Sequence, residues 1–277
     1  MFSIILVQTI LVLQHEHLAH CNFVVAFDAI PEFAWSMAYD LRNTDASQTL
    51  HILPADLQIS PTVPTKRIHD GEDLGFFLAS KAYADIMTFV LQLNRSMIPE
   101  QDDGNNTRAW PLDDSKIALS DNVIRIASLI QSLKALMKRA PPETGPRRFG
   151  NVAFRTWFAT VQSEALGLLK ESLPEAVWAH AVGENERQTL EKEIESYLLG
   201  SFGSPERLDY GTGHELSFLA FLGCIWKLGG FARAAPGVEE RAIVVGIIQP
   251  FVIPFGQYTT SSLGSDTNTD TWNWSGL

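Results

Sequence analysis

The sequence predicts an all-α fold. Between residues 64 and 248, apolar residues recur at steps of three and four in several stretches. No stretch in that range alternates apolar and polar residues with period two for long enough to predict a sheet. With 277 residues, of which 45% are hydrophobic and 19% charged, the chain is long enough to bury a large core, and we expect about six or seven helices.

The first predicted helix follows Asp73, which is an expected N-cap residue. Six apolar side chains share one face of this helix: Phe76, Ala79, Tyr83, Ile86, Val90 and Leu93. Residues 99–115 concentrate Asp, Asn, Gly and Pro and have no apolar period, so they are predicted to form a surface connection.

Ser120 is predicted to cap a second helix, which ends before Pro141 and Pro142 because proline cannot continue it. Its apolar face consists of Val123, Ile126, Ile130, Leu133 and Met137. A third helix is predicted to begin after Gly150. Its apolar face consists of Ala153, Trp157, Val161 and Leu168.

Two shorter helical runs are predicted over residues 175–181 and 187–199. The charged residues of the second run are interpreted as a solvated face: Glu191, Lys192, Glu193 and Glu195. The apolar run from Leu216 to Trp226 predicts a buried helix closed by Gly229 and Gly230, and it is shorter than the roughly 20 residues of a membrane span. A last helix is predicted over residues 238–248.

These elements define a predicted helical domain over residues 64–248. Residues 1–63 begin with an apolar stretch that has the length of a signal-peptide core but lacks its positively charged start, and prolines then interrupt them. They remain an unassigned N-terminal segment. Residues 249–277 are rich in Ser, Thr, Asp and Gly and are predicted to be a disordered tail.

Charge and cysteine content exclude several classes of function. The formal net charge is −11, so nucleic acid is not an expected partner, since phosphates would be repelled. Neither a disulfide framework nor a cysteine-rich zinc site can be built from Cys21 and Cys224 alone. A metal site is not predicted, because His15, His17 and His20 match no standard ligand spacing.

The stretch RLDYGTGHELSF, residues 207–218, concentrates residues that suit an anion site. Gly211 and Gly213 permit close approach of a ligand, and Thr212 offers a hydroxyl group. The helix that follows points free N–H groups back at this loop, and Arg207 could pair with a phosphate or carboxylate. In the alternative interpretation the loop is only a turn, with Thr212 as N-cap and Glu215 as its capping-box partner.

Several catalytic motifs are absent from this stretch. No Gly-Lys-Ser/Thr follows the glycines, no strand precedes them, and Phe218 stands where a zinc protease requires its second histidine after His214. The chain also has no Gly-x-Ser-x-Gly elbow of a hydrolase.

A second cluster, RRFGNVAFRTWF over residues 147–158, interleaves aromatic and guanidinium side chains. The aromatic residues Phe149, Phe154, Trp157 and Phe158 are predicted to lie mostly in the core. Arg148 and Arg155 would then need acidic partners, and Asp209 or Glu215 could supply them.

Three blocks resemble the family of protein phosphatase 2A phosphatase activators (PTPA), which are also described as peptidyl-prolyl cis-trans isomerases. They are PTKRIHDGEDLGFFLASKAYADIMTFVLQLNR, RRFGNVAFRTWF and SFGSPERLDYGTGHELSFLAFL. The resemblance implies a PTPA-like helical fold with a groove between subdomains, in a cytosolic or nuclear protein with no membrane association. Its implied partners are the phosphatase catalytic subunit and a proline-containing peptide.

The resemblance also implies ATP and Mg²⁺ as cofactors and assigns roles to residues. Arg207, Thr212 and Gly213 would contact the nucleotide. The groove that receives the phosphatase segment or proline peptide would be shaped by Arg148, Phe149, Gly150, Asp209, Tyr210, Gly211, His214 and Glu215. An isomerase needs no nucleophile, because it only lowers a rotation barrier of roughly 18–20 kcal/mol about a C–N bond; no catalytic residue is therefore assigned.

The similarity ends at about residue 248. Members of the family continue into a long section with a Gly-x-Trp-Gly-Leu-Asp-Asp stretch that supplies magnesium contacts, and this stretch does not occur in the sequence. The resemblance therefore implies that the family domain is C-terminally incomplete, with no magnesium motif. The alternative functions are a non-catalytic phosphatase-binding module and an inactive product.

Overall fold

The computed structural model describes residues 49–101, 104, 106–111, 117–141, 153–208 and 212–251. Eight α-helices occur within these ranges: α1 (Gly71–Leu78), α2 (Lys81–Ser96), α3 (Asp121–Ala135), α4 (Ala153–Ser172), α5 (Glu175–Trp178), α6 (Glu184–Gly200), α7 (Thr212–Lys227) and α8 (Val238–Ile243). A 3₁₀ turn, Leu136–Arg139, follows α3, and a π-helical turn, Val244–Ile248, follows α8. The predicted all-α class is confirmed.

The first predicted helix is in fact two helices. Asp70, not Asp73, caps α1, because its side chain accepts hydrogen bonds from the backbone N–H groups of Glu72 and Asp73. The Ser80 hydroxyl then accepts from the Tyr83 N–H and starts α2, at an angle of 61° to α1. Phe76 consequently points away from the core and is 77% exposed, so its predicted place on the buried face is wrong.

The second and third predicted helices are confirmed in their main features. The Ser120 hydroxyl accepts from the Val123 N–H and caps α3, whose buried side chains include Val123, Ile126, Ile130 and Leu133. The 3₁₀ turn ends this element before Pro141 and carries Met137, which is only partly buried. In α4, Leu169 takes the buried position that was predicted for Leu168.

A minimal sheet lies in the predicted surface connection. Strand β1 (Glu100–Gln101) pairs antiparallel with β2 (Thr107–Arg108). The guanidinium carbons of Arg108 and Arg241 lie 4.2 and 4.1 Å from the centre of the Trp110 ring, and Arg241 also pairs with Glu100 at 3.1 Å. This cation–π stack ties the small sheet to α8. Strands of two residues are too short for a period-two pattern, so the sequence could not predict them.

The core is continuous and is built around α7. Phe218 on α7 stacks on Phe251 with ring centres 3.5 Å apart, and Trp157 on α4 meets Phe202 edge-on. The helical backbone continues beyond the predicted end at residue 248 as far as Phe251. The Phe251 side chain is fully buried. Gly246 allows the π-helical turn to approach α3, because a Cβ atom there would lie 2.9 Å from a methyl group of Val123.

The interpretation of the α6 charges as a solvated face is wrong. Glu191 is buried and pairs with Lys170 at 2.8 Å and with Arg187 at 3.2 Å. Burial raises the pKa of Glu195. The Glu193 carboxylate accepts from the Thr62 N–H at 3.0 Å. Tertiary neighbours on several sides of α6 therefore engage these side chains, and sequence charge alone carries no information about such neighbours.

Residues 50–62, here called the N-terminal strap, form no helix or strand and lie along the helices, with one turn at residues 54–57. Leu50 is buried, its N–H donates to the Gln92 side chain, and its carbonyl accepts from the Trp226 indole N–H. The Leu53 N–H donates to the Lys227 carbonyl, and the Ile59 N–H donates to the His180 carbonyl. The strap is thus part of the packed domain, although it belongs to a segment that the sequence left unassigned.

Within the described ranges no single helix is both long and apolar enough to cross a membrane; the bent pair α1–α2 reaches the required length and composition only when its two helices are taken together.

Candidate functional site

The chain enters α7 through a strained turn. Leu208 has φ 57°, and it is the only residue other than glycine with positive φ among those the structure describes. This conformation costs an L-amino acid roughly 1–2 kcal/mol. Hydrogen bonds hold the turn: Arg207 N–H donates to the Ser204 hydroxyl at 3.1 Å, and Leu208 N–H donates to the Ser204 carbonyl at 2.8 Å. Strain of this kind is concentrated at functional sites.

Arg155 on α4 donates hydrogen bonds to the same turn. Its guanidinium donates to the carbonyl oxygens of Pro205 at 2.8 Å and Glu206 at 3.2 Å. Arg155 is exposed and makes no ion pair with Glu215, so that predicted pair is wrong. The other predicted acid, Asp209, and the other arginine, Arg148, lie outside the described residues.

The first turn of α7 is anchored to the end of α6. The Nδ1 atom of His214 lies 2.7 Å from the Gly200 carbonyl oxygen, so the ring carries its proton on Nδ1 and donates there. Gly200 must lack a side chain, since a Cβ atom would lie 2.6 Å from the Ser217 hydroxyl. That hydroxyl donates to the Tyr197 carbonyl at 2.9 Å.

The structure describes five of the predicted site residues. Arg207 and Gly213 are exposed on either side of the entry to α7, and Thr212 is already helical instead of preceding the helix as an N-cap. His214 and Glu215 follow in the first turn. The remaining predicted groove residues lie outside the described residues: Phe149, Gly150, Tyr210 and Gly211, together with Arg148 and Asp209.

Glu215 is a half-buried carboxyl group. No hydrogen bond or ion pair reaches it from the residues that the structure describes, and burial raises its pKa above the ordinary value of 4.5. When the pKa of a carboxyl group is higher in the folded than in the unfolded protein, the protein loses stability as pH rises, because ionisation is harder in the folded state. The site therefore retains a group that is unfavourable for folding at neutral pH, which is typical of functional positions.

We expect Glu215→Gln to stabilise the chain at pH 7 and to leave it unchanged near pH 4, where both states of the wild-type carboxyl are mostly protonated. Urea unfolding at both pH values measures this difference. Glu206→Gln, at an exposed carboxyl in the preceding turn, is the control and should change stability little at either pH. A loss of stability for Glu215→Gln at pH 7 would show that the carboxylate makes a favourable contact.

A cavity of about 490 Å³ extends along α7 from Gly213 to Leu228. Its other walls are formed by the strap, α1, α2 and α6, and most of its lining is apolar. Ligand pockets typically have volumes of about 300–1,000 Å³ and an apolar lining with a few polar groups. Sequence reasoning missed this cavity, because no periodicity indicates which faces of five separate elements enclose a space.

The cavity contains a neutralised ion pair at one end. Asp85 on α2 pairs with Lys227 at 2.5 Å and with Lys81 at 3.0 Å. Burial alone would raise the pKa of Asp85, but the hydrogen bonds and charges of the two lysines outweigh it and hold the pKa below its ordinary value. Asp85 and Lys227 therefore face the cavity as a paired, charge-compensated unit.

Two weakly acidic groups lie along the same cavity. Burial raises the pKa of the Cys224 thiol to about 12, and the charge of Glu193 adds to the effect. Burial and Glu193 also raise the pKa of Tyr197, whose hydroxyl donates to Glu193 at 3.2 Å. Both groups therefore remain protonated at neutral pH and carry no charge. Among the described residues, no group of three or more His, Cys, Asp or Glu side chains could hold a metal ion.

A family model described as "Phosphotyrosyl phosphate activator (PTPA) protein" matches residues 64–254. The chain belongs to this family. The matched residues include α1 to α8, the strained turn and the start of α7, whereas the whole strap lies before them. The predicted PTPA resemblance is confirmed.

Curated PTPA relatives support the assignment. The chain is 53% identical over 189 residues to "Serine/threonine-protein phosphatase 2A activator 1" of Aspergillus fumigatus, covering 68% of this chain and 40% of that protein. It is 50% identical over 212 residues to the protein of the same name from Emericella nidulans, covering 75% and 49%. The chain thus spans less than half the length of these two relatives.

A solved PTPA structure has the same fold. The structure resembles the crystal structure of the PP2A phosphatase activator Ypa1 PTPA1 with a TM-score of 0.54 and 26% sequence identity. The match covers 77% of this chain and 60% of the crystallised one. The predicted PTPA-like helical fold is therefore confirmed.

Proposed function

We propose that this chain binds the catalytic subunit of protein phosphatase 2A and activates it. The observation that carries the proposal is membership of the PTPA family over residues 64–254, together with relatives that are named as activators of this phosphatase. The start of α7 lies inside the matched region. Its strain favours it as the functional surface, and so does its half-buried Glu215 carboxyl, which no hydrogen bond or ion pair reaches from the described residues.

We further propose that the start of α7 holds the phosphates of ATP. A helix of 16 residues directs free N–H groups and a partial positive charge at its N-terminus, and Gly213 leaves that turn open. Arg207 is exposed just before it and has the fork geometry that suits phosphate oxygens. Bound ATP would supply a polyanion that bridges these groups to the partner. The proposal includes no magnesium step, since the family's magnesium motif does not occur in the 277 residues.

Peptidyl-prolyl isomerisation is proposed as the activity of the same surface. The reaction needs only a lowering of the rotation barrier, to which a water-poor surface contributes because it disfavours the charge-separated resonance form of the amide. A non-catalytic phosphatase-binding module is the second candidate function. The observation that favours it is that the two relatives are named as activators of the phosphatase, and neither name states an isomerase activity.

The test captures purified phosphatase catalytic subunit on the immobilised full chain, with and without ATP, and measures phosphopeptide hydrolysis. We expect capture and an ATP-dependent rise in activity, and we expect Arg207→Ala to reduce that rise at least tenfold. Arg233→Ala, at another exposed arginine outside the turn, is the matched control and should behave like the wild type.

A prolyl-peptide isomerisation assay on the same preparation separates the two candidates. Acceleration above the uncatalysed rate supports the isomerase. Capture without acceleration favours the binding module, and the absence of capture contradicts both.

A further inference from the structure

One carboxylate that lines the cavity along α7 lacks a basic partner among the described residues. Three charged side chains of the described residues line the cavity: Asp85, Glu193 and Lys227. Asp85 pairs with Lys227 at 2.5 Å and also with Lys81, which does not line the cavity, at 3.0 Å. No lysine or arginine among the described residues pairs with Glu193, so its carboxylate is the one left for a ligand.

Two hydrogen bonds hold the Glu193 carboxylate in place, and its oxygens can accept more. One carboxylate oxygen accepts from the Thr62 N–H at 3.0 Å, and the other accepts from the Tyr197 hydroxyl at 3.2 Å. Each carboxylate oxygen has two lone-pair directions, so both oxygens can accept a further hydrogen bond. The strap and α6 thus fix the carboxylate in one position beside the cavity.

The rest of the lining suits a hydrocarbon body. Apolar side chains come from every wall, for example Leu53 from the strap, Phe77 from α1, Ile86 from α2, Leu190 from α6 and Leu216 from α7. Cys224 and Tyr197 stay uncharged, so neither supplies a countercharge to Glu193. A neutral apolar ligand would leave the Glu193 charge facing a low-dielectric space, and an anion would be repelled by it.

We propose that this cavity binds a small organic cation, an amine with an apolar body, whose ammonium group donates to Glu193. The cation pairs with the Glu193 carboxylate through a charge-assisted hydrogen bond, and the body displaces water from the apolar walls. The cavity meets the proposed nucleotide site at Gly213, whereas neither Arg207 nor Glu215 lines it, so binding of the amine can be tested apart from the phosphatase function.

The test titrates the full chain with three probes that share one body: phenylbutylamine, phenylbutanol and phenylbutanoate. Isothermal titration calorimetry measures their affinities. We expect the amine to bind at least about tenfold more tightly than the alcohol, because the added interaction is a hydrogen bond between charged groups, and we expect the carboxylate to bind most weakly.

Glu193→Gln should abolish the advantage of the amine and leave the affinity of the alcohol unchanged, and binding of the alcohol shows that the cavity is intact. Glu195→Gln is the matched control on the same helix. It removes a partly buried carboxyl that does not line the cavity, and the amine should keep its advantage. Ala220→Leu fills the cavity and should remove binding of all three probes while the melting temperature changes little.

Equal affinity of the amine and the alcohol for the wild type overturns the proposal. So does an advantage of the amine that survives Glu193→Gln, or the absence of saturable binding by any probe. A lysine-containing dipeptide that binds while phenylbutylamine does not would also overturn it, since the occupant would then be a polypeptide segment and not a free amine.

Discussion

Replacing Trp157 by alanine is expected to lower the free energy of unfolding by about 3–5 kcal/mol. The indole is completely buried in α4 and packs on Phe154 and Phe202, with ring centres 5.4 Å away in both cases. Its N–H donates to the Leu133 carbonyl on α3 at 3.2 Å, so the substitution also leaves a buried acceptor without this donor. Urea unfolding followed by circular dichroism measures the loss.

Phe76→Ala is the matched aromatic control. Phe76 is 77% exposed on α1, so its removal should change the free energy of unfolding by no more than about 0.5 kcal/mol. Comparable losses for the two variants would mean that α1 is covered in solution or that α4 is not the centre of the core.

Glu240→Ala is expected to cost about 2–4 kcal/mol, because it leaves two donors without their partner. One carboxylate oxygen accepts from the Gln92 side chain at 2.9 Å, and the other accepts from the Gly237 N–H at 2.9 Å at the start of α8. Gln92 also accepts from the Leu50 N–H, so this network joins α8, α2 and the strap. Removing the buried charge recovers some desolvation free energy, which keeps the loss below the sum of the separate contacts.

Thermal and urea unfolding measure this loss. Glu171→Ala, at an exposed carboxylate near the end of α4, is the control and should be nearly neutral. Glu240→Gln should give an intermediate loss, since its amide keeps one acceptor oxygen. If Glu240→Ala unfolds like the wild type, water or another group must satisfy Gln92 and Gly237.

The helices that were predicted well are those whose signals lie within one segment. The cap of α3 by Ser120 and the buried face of Val123, Ile126, Ile130 and Leu133 both depend on spacing along a single helix. The apolar run that forms α7 is followed by Leu228 and Gly229. Gly229 has φ 69°, a conformation that glycine adopts without a steric penalty. Such signals act over one or two helical turns and can be read without knowing the fold.

The errors had one local and one distant cause. The face predicted from Phe76 to Leu93 was broken at Ser80, because this residue caps a new helix that starts there at a different angle. The charges of α6 were interpreted as solvated, but Lys170 on α4 pairs with Glu191, and the strap engages Glu193. Nothing in the local pattern of α6 distinguishes an exposed carboxylate from one that is paired across the core.

Some features of the candidate site were likewise predicted from the sequence, and others were not. The sequence predicts an anion-binding position at the start of α7 from its glycines, its arginine and the helix that follows, and this remains a prediction. The sequence did not indicate the strained Leu208 or the burial of Glu215, since a backbone angle and a buried carboxyl exist only once the chain is folded.

By itself, then, the sequence determined the helical class, the position of the helix that carries the candidate site and, through the three blocks of residues, the PTPA family. Only the tertiary structure decided that the strap packs against the domain, that α6 holds its carboxylates among neighbours and that a cavity lined by Glu193 lies beside α7. The physical reason is range: propensity and capping act between residues close along the chain, whereas burial, desolvation and enclosure depend on the distant segments that meet there.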